Sequence, residues 1–167
     1  MAEALPLVYL ARHGETAWSL SGQHTGRTDL PLTESGERNA RALGVRLRGL
    51  VFAKVFTSPS QRAVRTCELA GFAGTGEADP DLAEWDYGRY EGRRTAEILE
   101  ERPDWQLFRD GCPDGESPAE IGARADASSA ACAPSKATFC WFQARTSCAC
   151  SLPAGSAWNR PAVVIFC

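Results

Sequence analysis

Histidine is almost missing from this chain: 167 residues hold two, His13 and His24, both near the start. No spacing of His, Cys and acidic residues makes a convincing metal site, and no metal or other cofactor is expected. Long apolar runs are missing as well. No stretch approaches 18 apolar residues, so no membrane span is expected. Met1-Ala2-Glu3-Ala4 lacks the basic region and long apolar core of a secretion signal, and a cytoplasmic location is the expectation. Basic charge is not in excess either: 18 Lys and Arg stand against 21 Asp and Glu, a formal net charge of -3. That balance argues against a nucleic-acid partner, which calls for a clustered basic face. There is no internal repeat, and the length suits one domain with a sizeable core.

Another absence is local. Every Asp and Glu lies at or before Asp126, and the last 41 residues contain none. Random placement would do this with probability roughly 0.003, a strong composition shift. The same tail holds five of the seven cysteines: Cys132, Cys140, Cys148, Cys150 and Cys167. Without a secretion signal a disulfide framework is not expected. Cys148-Ala-Cys150 is spaced too tightly for the usual zinc loop. The tail is rich in Ala, Ser, Cys and Pro and shows no helical period. The reading is two segments: 1–126, an incomplete α/β domain, and 127–167, an atypical tail. Loss of one base just after the Asp126 codon would produce such a tail. With unknown third bases chosen freely, the alternative frame reads as helix, turn, buried strand, a polar loop with a histidine, and helix.

What is present begins with Arg12-His13-Gly14-Glu15-Thr16. It follows an apolar run, residues 5–11, that reads as a buried strand. In open α/β sheets, ligands bind at that end of a strand. Arginine offers a planar fork of donors matched to phosphate oxygens. Neutral imidazole offers a nucleophilic nitrogen. Further along, Thr33 reads as the N-cap of a helix that runs to about Arg48. Residues 51–57 read as a second strand. Ser58 reads as the cap of a helix with Pro59 in its first turn, continuing through Leu69. Residues 82–84 suggest a short strand, and Thr95 to Glu101 a helix stopped before Pro103. Ser117, Pro118 and Glu120 form a capping signature for a last helix. Strands alternating with helices argue for an α/β sheet with parallel pairs.

Four ordered blocks carry a family resemblance. They are Arg12-His13-Gly14-Glu15-Thr16; Ser21-Gly22-Gln23-His24-Thr25-Gly26 with Thr28-Asp29-Leu30-Pro31-Leu32-Thr33; Thr57-Ser58-Pro59 with Arg62-Ala63 and Thr66; and Leu82-Ala83-Glu84-Trp85-Asp86-Tyr87-Gly88 with Glu91-Gly92. Together they resemble the histidine phosphatase superfamily, in its phosphoglycerate-mutase-like branch. The second block looks most like a bacterial and fungal phosphatase group that includes sedoheptulose-bisphosphatase-like proteins. The resemblance implies a three-layer α/β/α sandwich with a mostly parallel sheet, altered or truncated after residue 126. It implies a phosphatase acting on a small phosphorylated metabolite through a phosphohistidine, without metal. Phosphoglycerate-type mutase, protein phosphohistidine phosphatase and an inactive phosphate-binding product are the alternatives.

By the same resemblance His13 is the nucleophile and Glu84 the acid/base carboxylate. Protonating the departing oxygen calls for a carboxyl group desolvated by a neighbour, and Trp85 stands beside it. Arg12 and Arg62 clamp the phosphate. Ser19, Gln23, Thr25 and Gly26 contact substrate. His24 receives no role and reads as a surface histidine; Ser58 reads as a cap or a neighbour of the catalytic groups. The family pattern has a second histidine on the loop after a central strand in the C-terminal part, and this sequence has none there. The strand beside the first strand is expected to be missing too, because residues 161–166, a plausible β-run, stand at the wrong distance. A central strand with unpaired backbone on one side predicts poor folding or weak activity.

Overall fold

The structure is a computed structural model that describes residues 7–130, 138–143 and 162–165. Cys132, Cys148, Cys150 and Cys167 lie outside the described residues, as do Pro161 and Phe166. Its centre is a five-stranded, all-parallel sheet of order β3-β2-β4-β1-β5. The strands are β1 (Leu7–Arg12), β2 (Lys54–Thr57), β3 (Gly76–Ala78), β4 (Thr138–Gln143) and β5 (Ala162–Ile165). The helices are α1 (Ala17–Ser21), α2 (Glu34–Leu47), α3 (Gln61–Cys67), α4 (Thr95–Glu101), α5 (Leu107–Asp110) and α6 (Pro118–Ala130).

The sheet is buried on both faces by alternation, as a parallel sheet must be. Val8 and Leu10 of β1 join Phe139 and Trp141 of β4, with Phe56 and Leu82, on one face. Ala11, Cys140 and Phe142 join Leu43 and Leu47 of α2 and Cys67 of α3 on the other. Each fully buried Leu contributes about 2 kcal/mol. A third apolar cluster gathers Trp85, Tyr87, Tyr90, Ile98, Trp105 and Ile121. The three-layer, parallel α/β/α class expected from the sequence is what is observed.

Several elements match the sequence reading. Thr33 caps α2, accepting from Gly36 N at 3.0 Å. At α6, Glu120 N donates to Ser117 Oγ and Glu120 Oε2 accepts from Ser117 N, the reciprocal box expected there. The α4 boundaries are those expected.

Others need correction. β1 does not lack neighbours: β4 pairs with it from Leu7↔Thr138 to Arg12↔Gln143, and β5 pairs on its other side from Val8↔Ala162. Thr138–Gln143 is rich in aromatic residues, which suit a doubly buried strand. The 161–166 run therefore does reach the sheet, through Ala162–Ile165. α6, whose end the sequence left open, runs through residue 126 to Ala130. Residues 82–84 are not a strand. Asp79 caps a 3₁₀ turn, Pro80–Leu82, accepting from Asp81 N at 2.9 Å, and Leu82 is buried by packing alone. Ser60, not Ser58, stands at the N-cap of α3, and the helix gives way at Glu68 to a wider π turn ending at Phe72. Ser58 is buried and donates its backbone N–H to Phe142 O at 2.8 Å, tying the ends of β2 and β4.

Candidate active site

β1 delivers Arg12 and His13 to the carboxyl end of the sheet. His13 is 7% exposed. Its Nδ1 lies 2.7 Å from Gly14 O. A carbonyl only accepts, so Nδ1 carries the proton and Nε2 keeps the lone pair. Burial first, then Arg62 and Arg12, lowers the His13 pKa to about 4 against the contrary pull of the Gly14 bond. The ring is neutral at pH 7 and is a competent nucleophile there.

The loop behind the histidine is locked by close backbone contact. A Cβ on Gly14 would fall 2.4 Å from Gly36 O, so the first turn of α2 can sit against it only because both residues are glycine. Gly14 N donates to Thr66 Oγ1 at 3.0 Å, and Thr66 Oγ1 donates to Arg62 O at 2.7 Å. Thr66 thereby couples the His13–Gly14 loop to α3.

A cavity of about 260 Å³ is lined by Arg12, His13, Ser19, Gln23, Thr25 and Glu84. Six of the eight residues singled out in the sequence therefore meet in one place. Gly26 does not line it. A side chain there would strike Trp85 O at 2.3 Å, so its glycine is required by packing. Arg62 does not line it either. It is 1% exposed, and its terminal nitrogens donate to Thr28 O (2.9 Å), Gly26 O (3.0 Å) and Thr25 O (3.3 Å). Burial pushes its pKa down, and the carboxylates of Glu84, Asp29 and Glu91 push it back. Its Nε has no hydrogen-bond partner among the described residues.

Glu84 is 8% exposed and accepts from Trp85 N at 2.8 Å. Its turn is pinned by a residue the sequence reading missed. Arg124 binds both oxygens of Glu116 at 2.7 Å and donates to Asp81 O and Ala83 O at 2.8 and 3.0 Å. Beyond Glu84 opens a further cavity of about 430 Å³, with Ser58, Asp86 and Arg124 in its wall.

His24 is a correction. It is half-buried and lines the 260 Å³ cavity rather than the open surface. Its ring lies 4.6 Å from that of Tyr87 and 5.8 Å from that of Trp105, and its Nε2 is 3.2 Å from Thr95 Oγ1. Burial lowers its pKa, with Glu91 pulling the other way. The one sequence signal was its place inside the second block.

Among the described residues no group of three His, Cys, Asp or Glu could hold a metal ion, and no helix is long and apolar enough to cross a membrane. A parallel α/β sheet with an arginine and a neutral histidine at its carboxyl edge is an arrangement able to hold a phosphate group. The family model of the histidine phosphatase superfamily (branch 1) matches residues 8–137, and the chain belongs to that family. It is 47% identical over 119 residues to an acid phosphatase of Mycobacterium tuberculosis, covering 70% of this chain and 58% of that protein. It is 40% identical over 148 residues to sedoheptulose 1,7-bisphosphatase of Saccharomyces cerevisiae, covering 74% and 54%. The solved structure of the open reading frame Rv3214 product of M. tuberculosis superimposes with a TM-score of 0.81 at 39% identity, covering 86% of this chain and 76% of that one. The chain thus spans somewhat over half the length of these two curated relatives.

Proposed function

We propose that this chain is a phosphomonoesterase that moves a phosphoryl group from a small phosphorylated metabolite to His13 and then to water. One observation carries the reading: the Nδ1–H of His13 is spent on Gly14 O, which commits Nε2, in a cavity shared with Arg12 and Glu84, to act as nucleophile. Nε2 forms the N–P bond as the ester P–O bond breaks, and the departing oxygen takes a proton from the Glu84 carboxyl group. Water then attacks phosphorus, Glu84 takes back a proton, the N–P bond breaks and inorganic phosphate leaves. Arg12 neutralises the oxygens that gain charge, and the buried Arg62 adds positive potential from behind. An imidazole that stays neutral down to about pH 4 can attack in acid, which fits the M. tuberculosis relative described as an acid phosphatase.

The test is hydrolysis of p-nitrophenyl phosphate with a His13→Ala control, together with chemical quench of the wild-type reaction. Turnover lost in the variant, and acid-labile phosphate on the wild-type ring, are expected. Equal rates in the two proteins would reject the proposal.

A further inference from the structure

Glu91 belongs to the fourth sequence block, yet the chemistry above leaves it unused. It is half-buried and does not line the 260 Å³ cavity. Its carboxylate reaches across to the loop of the second block. Oε1 accepts from Gly26 N at 2.9 Å and from Thr28 N at 3.0 Å, and Oε2 accepts from Gly26 N at 3.0 Å. The carbonyls of these same two residues hold the guanidinium of Arg62: Thr28 O takes Nη1 at 2.9 Å and Gly26 O takes Nη2 at 3.0 Å. Carboxylate, peptide groups and guanidinium thus form one continuous chain. One peptide group, Thr25–Gly26, spans the two charges: its N–H donates to Glu91 and its Thr25 O accepts from Arg62 Nη2 at 3.3 Å, so each bond strengthens the other. The carboxylate is therefore linked through this loop's backbone to a buried cation, which Asp29 also approaches, 4.0 Å from Nη1.

We propose that Glu91 is a positioning residue for Arg62, fixing the plane of its guanidinium through the Thr25–Gly26 peptide group and the backbone of Gly26 and Thr28. The phosphate-binding consequence rests on the phosphatase reading; the orienting role does not. With Nη1 and Nη2 fixed to carbonyls, the guanidinium cannot turn about its Cζ–Nε bond, and its positive potential stays directed at one place. Gly26 is part of the device. The space where its side chain would lie holds Glu91 Oε2 at 2.8 Å.

The test has two arms, both run on the full chain. The first needs no ligand: the Nε–H and Nη signals of Arg62, assigned with Arg62→Lys, are followed by NMR. In the wild type, separate and slowly exchanging Nη signals are expected. In Glu91→Ala they merge, and 0.5 M formate, which can refill the carboxylate position, separates them again. Glu91→Gln keeps one acceptor oxygen able to serve both N–H groups and retains the separation in part, so it serves if the alanine variant fails to fold. Unchanged Arg62 signals in Glu91→Ala, or loss that formate and Gln both leave unrepaired, would overturn the proposal. The second arm measures inorganic phosphate affinity, expected to fall about tenfold in Glu91→Ala, the scale seen when a group that orients a ligand-binding side chain is removed from a metal site. A wild type that shows the Arg62 signature but binds no phosphate would count against the phosphatase reading while supporting the orienting role.

Discussion

Thr66 and Gly14 are joined by a 3.0 Å hydrogen bond from the backbone N–H of the residue after His13 to a threonine hydroxyl one helix away. The same hydroxyl donates to Arg62 O, so both of its roles are filled. Thr66 is fully buried. Replacing it by valine keeps the shape and strands the Gly14 N–H, at a cost of about 1–3 kcal/mol. Urea unfolding of Thr66→Val against Thr66→Ser is the check: serine keeps the hydroxyl and should lose less than half as much.

Stability is expected to fall in acid through His13. Its folded pKa is about 4, below the unfolded value of about 6.5. Between those limits the unfolded state binds more protons, so stability drops as pH falls from 6.5 to 4 and levels off below. The loss attributable to this group is on the order of 3 kcal/mol. Melts at pH 7 and pH 4 read it, and His13→Ala should flatten the difference. On the activity side, deprotonation of the nucleophile should appear as a limb near pH 4 in kcat/KM.

Arg124 holds the 81–84 turn by three carbonyl contacts and a bidentate pair with Glu116. Both partners are about four-fifths covered, at 21% and 20% side-chain exposure. Arg124→Met takes the guanidinium from the Glu116 carboxylate and from three carbonyls. A destabilisation of about 2–4 kcal/mol is expected, with kcat falling more than KM rises because the carboxyl group on Glu84 loses its fixed place. Equal melting temperatures for the two proteins would refute the assignment.

For the acid-free tail we propose a one-base loss just after the Asp126 codon. Sequencing the gene beside those of close relatives should show it. The frame-restored chain should then carry a histidine after a strand and turn over p-nitrophenyl phosphate about 10²–10³ times faster, the worth of one donor to a charged transition state. An uninterrupted frame shared by close relatives would rule this out.

The sequence and the structure agree where the signal is local. β1 is a single apolar run, Thr33 and Ser117 are caps with their partners three residues on, and the first block marks the strand end that became the site. They part where distant packing decides. His24 reads as a loop residue until Tyr87 and Trp105, far along the chain, stack against it. Leu82 is buried like a strand residue, but the cap and proline before it make a 3₁₀ turn. β4 lies in the segment whose composition drew attention to its missing acids, and a doubly buried strand needs no acids. Glu91 stood in the fourth block without a role because it acts on backbone N–H groups of a distant loop, and Arg124 lay outside every block because its carbonyl and Glu116 partners converge only in the fold.

Both imidazoles of the chain face the same 260 Å³ cavity. A histidine-selective isotope label would thus produce a spectrum from two side chains only, His13 and His24, both in the lining of that cavity. Any compound that enters must disturb at least one of these resonances, so candidate substrates can be ranked before a single turnover has been seen.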